Sequence, residues 1–416
     1  MPVFVIAILS AVLGCSALWW LLADRLVAGR RARLAVAAYG MFQLVLVFGV
    51  LAARAAGFTL PAWAHGFALA WTLILLAPAV FLLAVALALR GLRGRGETPE
   101  PGRRALLGAV VAGPPVLAAV GTAVGLVQSR GFVARERELA VPGLPPALEG
   151  LRVVHVSDTH VGAFTRGPVL DRIAAAVNGF GADLVCFTGD LVNAEHEDIA
   201  AGCKLLSACR SRHGVFAVEG NHDLFEGAYA FRREVRGRGV DLLVDEGRAL
   251  TIRGVPVDLL GLRWAADREL DDAFEATVRG FARRPGAFCI CLAHHPHAFD
   301  TAAAAGVPLT LTGHTHGGQL MLPGGVGPGP LMYRYWSGVY EKTEPAPGAL
   351  AVVSNGSGNW FPLRTFAPAE VVCLVLRARG PAGHRASLVP GPGRGSNARG
   401  RATASGSPDL SPRTVL

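Results

Sequence analysis

The sequence predicts an α/β layered domain preceded by a helical membrane segment, and three observations carry that expectation. From residue 150 onward, short apolar runs of strand character alternate with helical stretches, the pattern of a layered α/β domain. Ahead of residue 130 lie four long apolar runs. Side chains able to bind a metal recur just after one strand candidate after another.

The apolar runs cover residues 3–23, 34–53, 66–89 and 105–128. Each holds about 20 residues or more, enough to cross a hydrocarbon core of roughly 30 Å at about 1.5 Å per residue. The expectation is a transmembrane segment of four helices over residues 1–130, with Pro114 and Pro115 kinking the last. No basic residue precedes the first run, and apolar residues continue past Cys15 to Ala23, so it reads as a retained helix rather than a cleaved leader. Arginines orient the segment. The first loop holds Arg25, Arg30, Arg31 and Arg33, the second only Arg54, and the third Arg90, Arg93, Arg95, Arg103 and Arg104. By the positive-inside rule the first and third loops face the cytoplasm. The expected protein is then multi-pass in the cell membrane, with everything after residue 130 extracytoplasmic.

Composition fits that layout. Hydrophobic residues make up 51% and charged ones 17%, with the apolar excess in the first third. The net charge of +9 sits largely in arginine-rich loops and in the tail after Arg377, a distribution that gives no reason to expect nucleic acid. Seven scattered cysteines make no disulfide framework and read as small buried residues.

In the second part of the chain, strands are expected at 153–156, 184–188, 215–218, 257–260, 288–292, 309–312, 350–353 and 371–376. Helices are expected at 169–178, 229–236 and 271–281. These elements set a domain over 148–377. The remaining tail, 378–416, is rich in Gly, Pro, Ser and Arg and is expected to be disordered.

The chemistry gathers at strand ends. Asp158 and His160 follow the first strand, Asp190 the second, and Asn221, His222 and Asp223 the third. His294 and His295 follow the strand ending at Leu292, and His314 and His316 follow Thr312. Ligand sites in layered α/β domains form outside the carboxyl ends of strands, so five such ends converge on one rim. Imidazole with carboxylate suits zinc, iron or manganese, whereas magnesium favours oxygen donors. Two such cations about 3.5–4 Å apart can hold a hydroxide for in-line attack on phosphorus. A histidine outside the ligand set can protonate the departing alkoxide.

The order Asp-x-His, Gly-Asp-x-x-Asn, Gly-Asn-His-Asp, a lone His and Gly-His-x-His, spread over residues 158 to 316, resembles the calcineurin-like metallophosphoesterase family. The resemblance covers about Leu151 to Leu376 and implies a four-layer αββα sandwich, two packed sheets flanked by helices on both sides. It implies that Asp158, His160 and His316 bind one divalent metal ion and that Asn221, His294 and His314 bind a second. Asp190 would bridge them, and His222 would be the general acid, positioned by Asp223. His294 is preferred over His295 because His294-His295-Pro296 looks like the family's His-x-Pro. Gly317-Gly318-Gln319, the stretch Ser354 to Gly358, Pro362 and Arg364 resemble a membrane-associated phosphodiesterase subgroup. One departure is Gly261-Leu262-Arg263-Trp264, where an acidic residue is expected after the strand; it puts the substrate pocket in doubt, not the metals.

Other residues carry blander expectations. His155, His196, His213 and His297 read as structural or solvated, and Asp183 as a turn residue. Tyr333, Tyr335, Trp336 and Tyr340 fit core packing or a lipid-facing lip. Arg364 fits either a substrate phosphate, met bidentately, or a structural ion pair. The expected function is hydrolysis of a phosphodiester or pyrophosphate by a metal-bound hydroxide at the membrane surface, with a phospholipid or lipid-linked substrate favoured by the anchor. The competing readings are a phosphomonoesterase acting on phosphoproteins and a non-catalytic membrane sensor.

Overall fold

The computed structural model describes residues 2–27, 29–55, 64, 68, 76–91, 101–264, 269–281, 283–343, 347–379 and 414–415. The chain divides into two compact units: Met1–Val127 with Phe361–Leu363, and Gln128–Trp360 with Arg364–Leu416.

The first unit contains helices Pro2–Leu26, Arg30–Ala55, Leu76–Gly91 and Pro101–Gln128. Trp19 and Tyr39 meet edge to face with ring centroids 5.2 Å apart, and Leu83 and Ala118 are buried with Trp19. Large apolar side chains such as Met41, Val45, Phe81 and Leu117 point outward. Such an outward face suits lipid and is rare on a protein bathed in water. Among the described residues, Arg30–Val50 and Gly108–Gln128 are long and apolar enough to cross a membrane.

Against the expected segment of four spanning helices, the described residues give two candidate spans. The third apolar run is described as a helix only over Leu76–Gly91, 16 residues. Most of 56–75 lies outside the described residues. The first helix reaches Leu26 by way of Asp24 and Arg25. Pro114 and Pro115 lie inside a helix that continues on both sides of them.

The second unit is a mixed α/β sandwich of two sheets. Its strands are β1 (Phe132–Val141), β2 (Arg152–Val156), β3 (Leu184–Thr188), β4 (Val215–Val218), β5 (Asp241–Leu242), β6 (Glu246–Ile252), β7 (Val255–Gly261), β8 (Phe288–Leu292), β9 (Leu309–Thr312), β10 (Gly338–Glu341), β11 (Leu350–Val353), β12 (Ala369–Ala378) and β13 (Thr414–Val415). One sheet runs β13-β1-β12-β2-β3-β4-β5 and the other β10-β11-β9-β8-β7-β6. All eight strands expected from sequence are present; β1, β5, β6, β10 and β13 are additional. β1 lies ahead of the boundary expected at residue 148 and pairs in parallel with β12. The expectation of a disordered tail falls on residues almost wholly outside the described ones.

The two-residue period of a strand decides the layers. Leu184 and Cys186 face the second sheet and pack with Leu259, Ile290 and Leu311. Val185 and Phe187 face the other way, onto Ile173, Val177 and Leu205 of helices Pro168–Gly179 and Ile199–Ala208. On the far side, Cys289 and Cys291 meet Phe274, Val278 and Ala302 of helices Glu269–Gly280 and Ala298–Ala304. Helix, sheet, sheet and helix are the four layers. Every described cysteine but one is assigned as free and buried, so the thiols fill space in the core.

Candidate metal centre

β2, β3 and β4 run parallel, as do β8 and β9, so their carboxyl ends open on one rim. At that rim the backbone turns sharply. Asp158, His160, Asp190, His314 and His316 all adopt left-handed backbone, with φ of 49°, 46°, 53°, 69° and 51°. Each costs on the order of 1–3 kcal/mol, and strain of this kind gathers at functional sites. Glycine supplies the clearance: a Cβ on Gly220 or Gly313 would overlap the carboxylates of Asp190 and Asp158.

The side chains expected as ligands come together. Asp158, His160 and His316 offer ligand atoms mutually within 4.8 Å, as do Asp190, His294 and His314. A third such group joins His160, Asp190 and His222, so His222 also stands within ligand reach. Between the imidazoles, His160 Nε2 and His316 Nε2 are 2.9 Å apart. His316 Nε2 is 3.3 Å from Asp158 Oδ1, and His160 Nε2 is 3.4 Å from Asp190 Oδ2. Asn221 Oδ1 lies 3.0 Å from His314 Nδ1.

His294 tests whether a cation fits. Its Nδ1 lies 2.6 Å from the Thr188 carbonyl oxygen, which can only accept, so Nδ1 carries the proton. Nε2 then presents a lone pair 3.2 Å from Asp190 Oδ2, is buried, and has no hydrogen-bond partner. Two acceptors that close repel each other unless a proton or a cation lies between them. The donor set therefore suits a divalent cation. His295, its neighbour, stacks on His297 and His314 at the rim, away from the carboxylates.

Electrostatics follow from burial and proximity. Burial pushes the Asp158 carboxyl up to about 6, against the pull of His294. Burial would also raise Asp190, but the adjoining His294 imidazole holds it well below the usual range. Burial lowers His294, yet Asp190 and Asp158 outweigh it and bring it up to about 9, so without a cation a proton on Nε2 relieves the repulsion, and a cation bound there would displace that proton. Burial pushes His160 and His314 down to about 3, and lowers His316 too, so these imidazoles are neutral and able to coordinate at neutral pH.

His222 stands beside the cluster, but Asp223 is not its hydrogen-bond partner among the described residues. His222 Nδ1 lies 2.6 Å from the carbonyl oxygen of Asn193, and its backbone N–H donates to Asp190 Oδ1 at 2.9 Å. Asp223 accepts instead from the backbone N–H of Val192 and of Gly220, at 3.0 and 2.9 Å. It ties the β3 and β4 loops together, and Asn193 orients His222. A backbone carbonyl leaves no mark in a sequence, which is why this partner was missed.

Of the two readings of Arg364 the structural one fits, through hydrogen bonds. It is fully buried and donates to Asn359 Oδ1, Gly358 O and Ala367 O at 2.6, 2.7 and 2.9 Å, with His316 Nδ1 at 3.0 Å. It braces the loop behind His316 and cannot meet a substrate. Trp264 stands where an acidic residue was expected, its ring centroid 5.4 Å from His294 and 5.0 Å from His314. The Tyr333 hydroxyl comes within 3.4 Å of His314 Nε2, and Trp360 faces His222 at 6.3 Å. Asp183 is more than a turn residue: it accepts the Arg152 backbone N–H and pairs with Arg212 and Arg253. His155 is structural as expected, buried with Nε2 2.8 Å from Thr188 Oγ1.

Comparison with known proteins bears on this site. Residues 151–318 match the family model described as Calcineurin-like phosphoesterase. An uncharacterized metallophosphoesterase of Campylobacter jejuni is 28% identical over 246 residues, 57% of this chain and 62% of that one. A transmembrane protein with metallophosphoesterase domain from Danio rerio is 28% identical over 268 residues, 58% of this chain and 56% of its own. The chain thus spans about three fifths of the length of the curated relatives it matches. The crystal structure of TT1561 of Thermus thermophilus shares 14% identity at a TM-score of 0.35, over 50% of this chain and 90% of that one. The motifs assembled at one rim thus lie in a stretch that matches the calcineurin-like phosphoesterase model, and the relatives it resembles are named metallophosphoesterases.

Proposed function

We propose that the chain is a membrane-anchored, dinuclear phosphoesterase acting on a phosphodiester or pyrophosphate. In this reading Asp158, His160 and His316 hold one divalent cation, Asn221, His294 and His314 a second, and Asp190 lies between. The supporting observation is that strand ends from both sheets meet at Asp190, within 3.4 Å of His160 and 3.2 Å of His294. Divalent cations of the manganese, iron or zinc type would supply Lewis-acid polarisation of the phosphoryl group and acidify a water.

The chain's own residues do the rest. The Asn193 carbonyl holds the Nδ1–H of His222, so the proton that His222 exchanges with a leaving alkoxide travels on Nε2. The His222 backbone N–H fixes Asp190 Oδ1 and leaves Oδ2 for the imidazoles. Trp264 and Tyr333 wall the rim and limit water.

A lipid phosphoester is the favoured substrate. Leu322, Val326, Leu331, Met332 and Phe366 are exposed on segments joined by the Leu320–Thr365 bridge. Arginines precede the apolar helix Gly108–Gln128, which favours an extracytoplasmic α/β unit. A reporter fused after Ser129 is expected to be active outside the cytoplasm; activity inside reverses the orientation.

The test is turnover by the full chain in detergent with manganese. Release of nitrophenol from bis(p-nitrophenyl) phosphate at a higher kcat/KM than from the monoester supports the diesterase. The reverse preference supports a monoesterase, and no turnover with manganese, iron or zinc supports a sensor.

A further inference from the structure

One strand carries charge where the sandwich asks for apolar side chains. Along β1, Leu139 and Val141 lie in the core between the sheets, together with Val372 and Leu374 of β12. Val372 and Leu374 are the register partners of Arg135 and Arg137. By the two-residue period, those arginines share the inward face with Leu139 and Val141. Both line a cavity of about 530 Å³ with Trp336, Asn355, Phe366 and Glu370. That volume falls within the roughly 300–1,000 Å³ of small-molecule sites.

The charges in this cavity do not balance. Glu370, 6% exposed, pairs with Arg135 at 3.2 Å and accepts the Asn355 backbone N–H at 3.1 Å. Arg137 has no hydrogen bond or ion pair among the described residues. Burial lowers its pKa, which marks the cost of keeping the guanidinium there. One uncompensated positive charge on the inner face of a sandwich destabilises the fold unless an anion joins it. The cavity is separate from the metal centre but adjoins it: Asn355 lines it, while Gly356 packs against Asp158 and His316.

We propose that this cavity is a second binding site, for an amphiphilic phosphate whose anionic group is held by Arg137 and Arg135 and whose apolar part lies against Trp336 and Phe366. Alternate residues on a strand stand about 6.6 Å apart, so two guanidiniums can straddle one tetrahedral anion, each offering a planar fork. Phosphate accepts that fork bidentately. The apolar wall is partly open, since Phe366 is 53% exposed. Membrane phospholipid and soluble phosphate ester are the two sources of such an amphiphile, and the test separates them.

The test uses the full chain in detergent, stripped of metals with a chelator so that the strand-end site is silent. Calorimetric titration with dihexanoyl phosphatidylglycerol and with glycerol 1-phosphate reads the second site. Saturable binding of at least one probe is expected, weakened about tenfold or more in Arg137→Gln, with Arg137→Lys falling between. Binding of the lipid alone identifies a membrane source, and equal binding of both a soluble ester. The melting temperature of ligand-free Arg137→Gln is expected to match or exceed that of the parent, because an unpaired charge is relieved. A purely structural arginine would lower it. No saturable binding of either probe, or Arg137→Gln binding as tightly as the parent, overturns the proposal.

Discussion

The two sheets bring different chemistry to one seam. The first sheet delivers Asp158 and His160 from β2, Asp190 from β3 and Asn221 from β4, and so supplies every oxygen donor. The second delivers His294 from β8 and His314 and His316 from β9, all imidazoles. Two of the ligand groups, Asp158 with His160 and His316 and Asp190 with His294 and His314, draw donors from both sheets. Contacts such as His160 with His316, 156 positions apart, exist only once the sandwich is closed. The centre is a property of the packed sandwich, and any cation it holds would tie the sheets together.

The sharpest way to break that seam is Asp190→Asn, which removes the carboxylate facing imidazoles of both sheets. Hydrolysis of bis(p-nitrophenyl) phosphate and bound metal are expected to vanish together; retained metal would mean that the sheets hold their cations independently. His222→Ala touches the first sheet only. It is expected to lower kcat by on the order of 10²–10⁴-fold while metal content survives. Loss of metal would instead make His222 a ligand, as its place beside His160 and Asp190 allows.

Smaller effects probe the braces. Arg364→Lys keeps the charge but loses the fork behind His316, and is expected to weaken metal affinity about 10–100-fold in a competitive chelator titration. Unchanged affinity would make Arg364 a support of the loop alone. Asp223→Asn cannot accept from both Val192 and Gly220, so denaturant titration is expected to show a loss of about 1–3 kcal/mol.

Acid acts on buried imidazoles of both sheets, and His155 reports on the first. Buried His155 is pushed from 6.5 down to about 3. Between those values the unfolded chain binds a proton that the folded chain refuses, so this group's contribution falls as pH drops below 6.5 and is lost towards 3. In a His155→Gln variant the stability measured by denaturation is expected to fall less steeply over that window; an unchanged slope would place the acid sensitivity elsewhere.

Much of this was legible in the sequence, for identifiable reasons. The strands of the second unit are apolar, short and bounded by turns, and motif residues follow their ends directly. β1 was not legible, because Arg135-Glu136-Arg137-Glu138 reads as solvated charge; only its pairing with β12 makes it a strand. The partner of His222 was hidden because a main-chain carbonyl has no residue type. Arg364 could be flagged but not placed, since burial depends on the loop that folds over it. The stretch from Leu331 to Tyr340 divides between both expectations: Tyr335 is buried against Phe299, whereas Leu331 and Met332 are exposed. Of the four apolar runs, two are candidate spans among the described residues.

The most direct test of the seam is elemental analysis of the full chain purified in detergent with manganese, beside His160→Ala from the first sheet and His294→Ala from the second. About two equivalents of metal per chain are expected in the parent, with each variant losing metal, because every cation draws donors from both sheets. A parent that holds no metal, or variants that keep the full complement, would contradict the account.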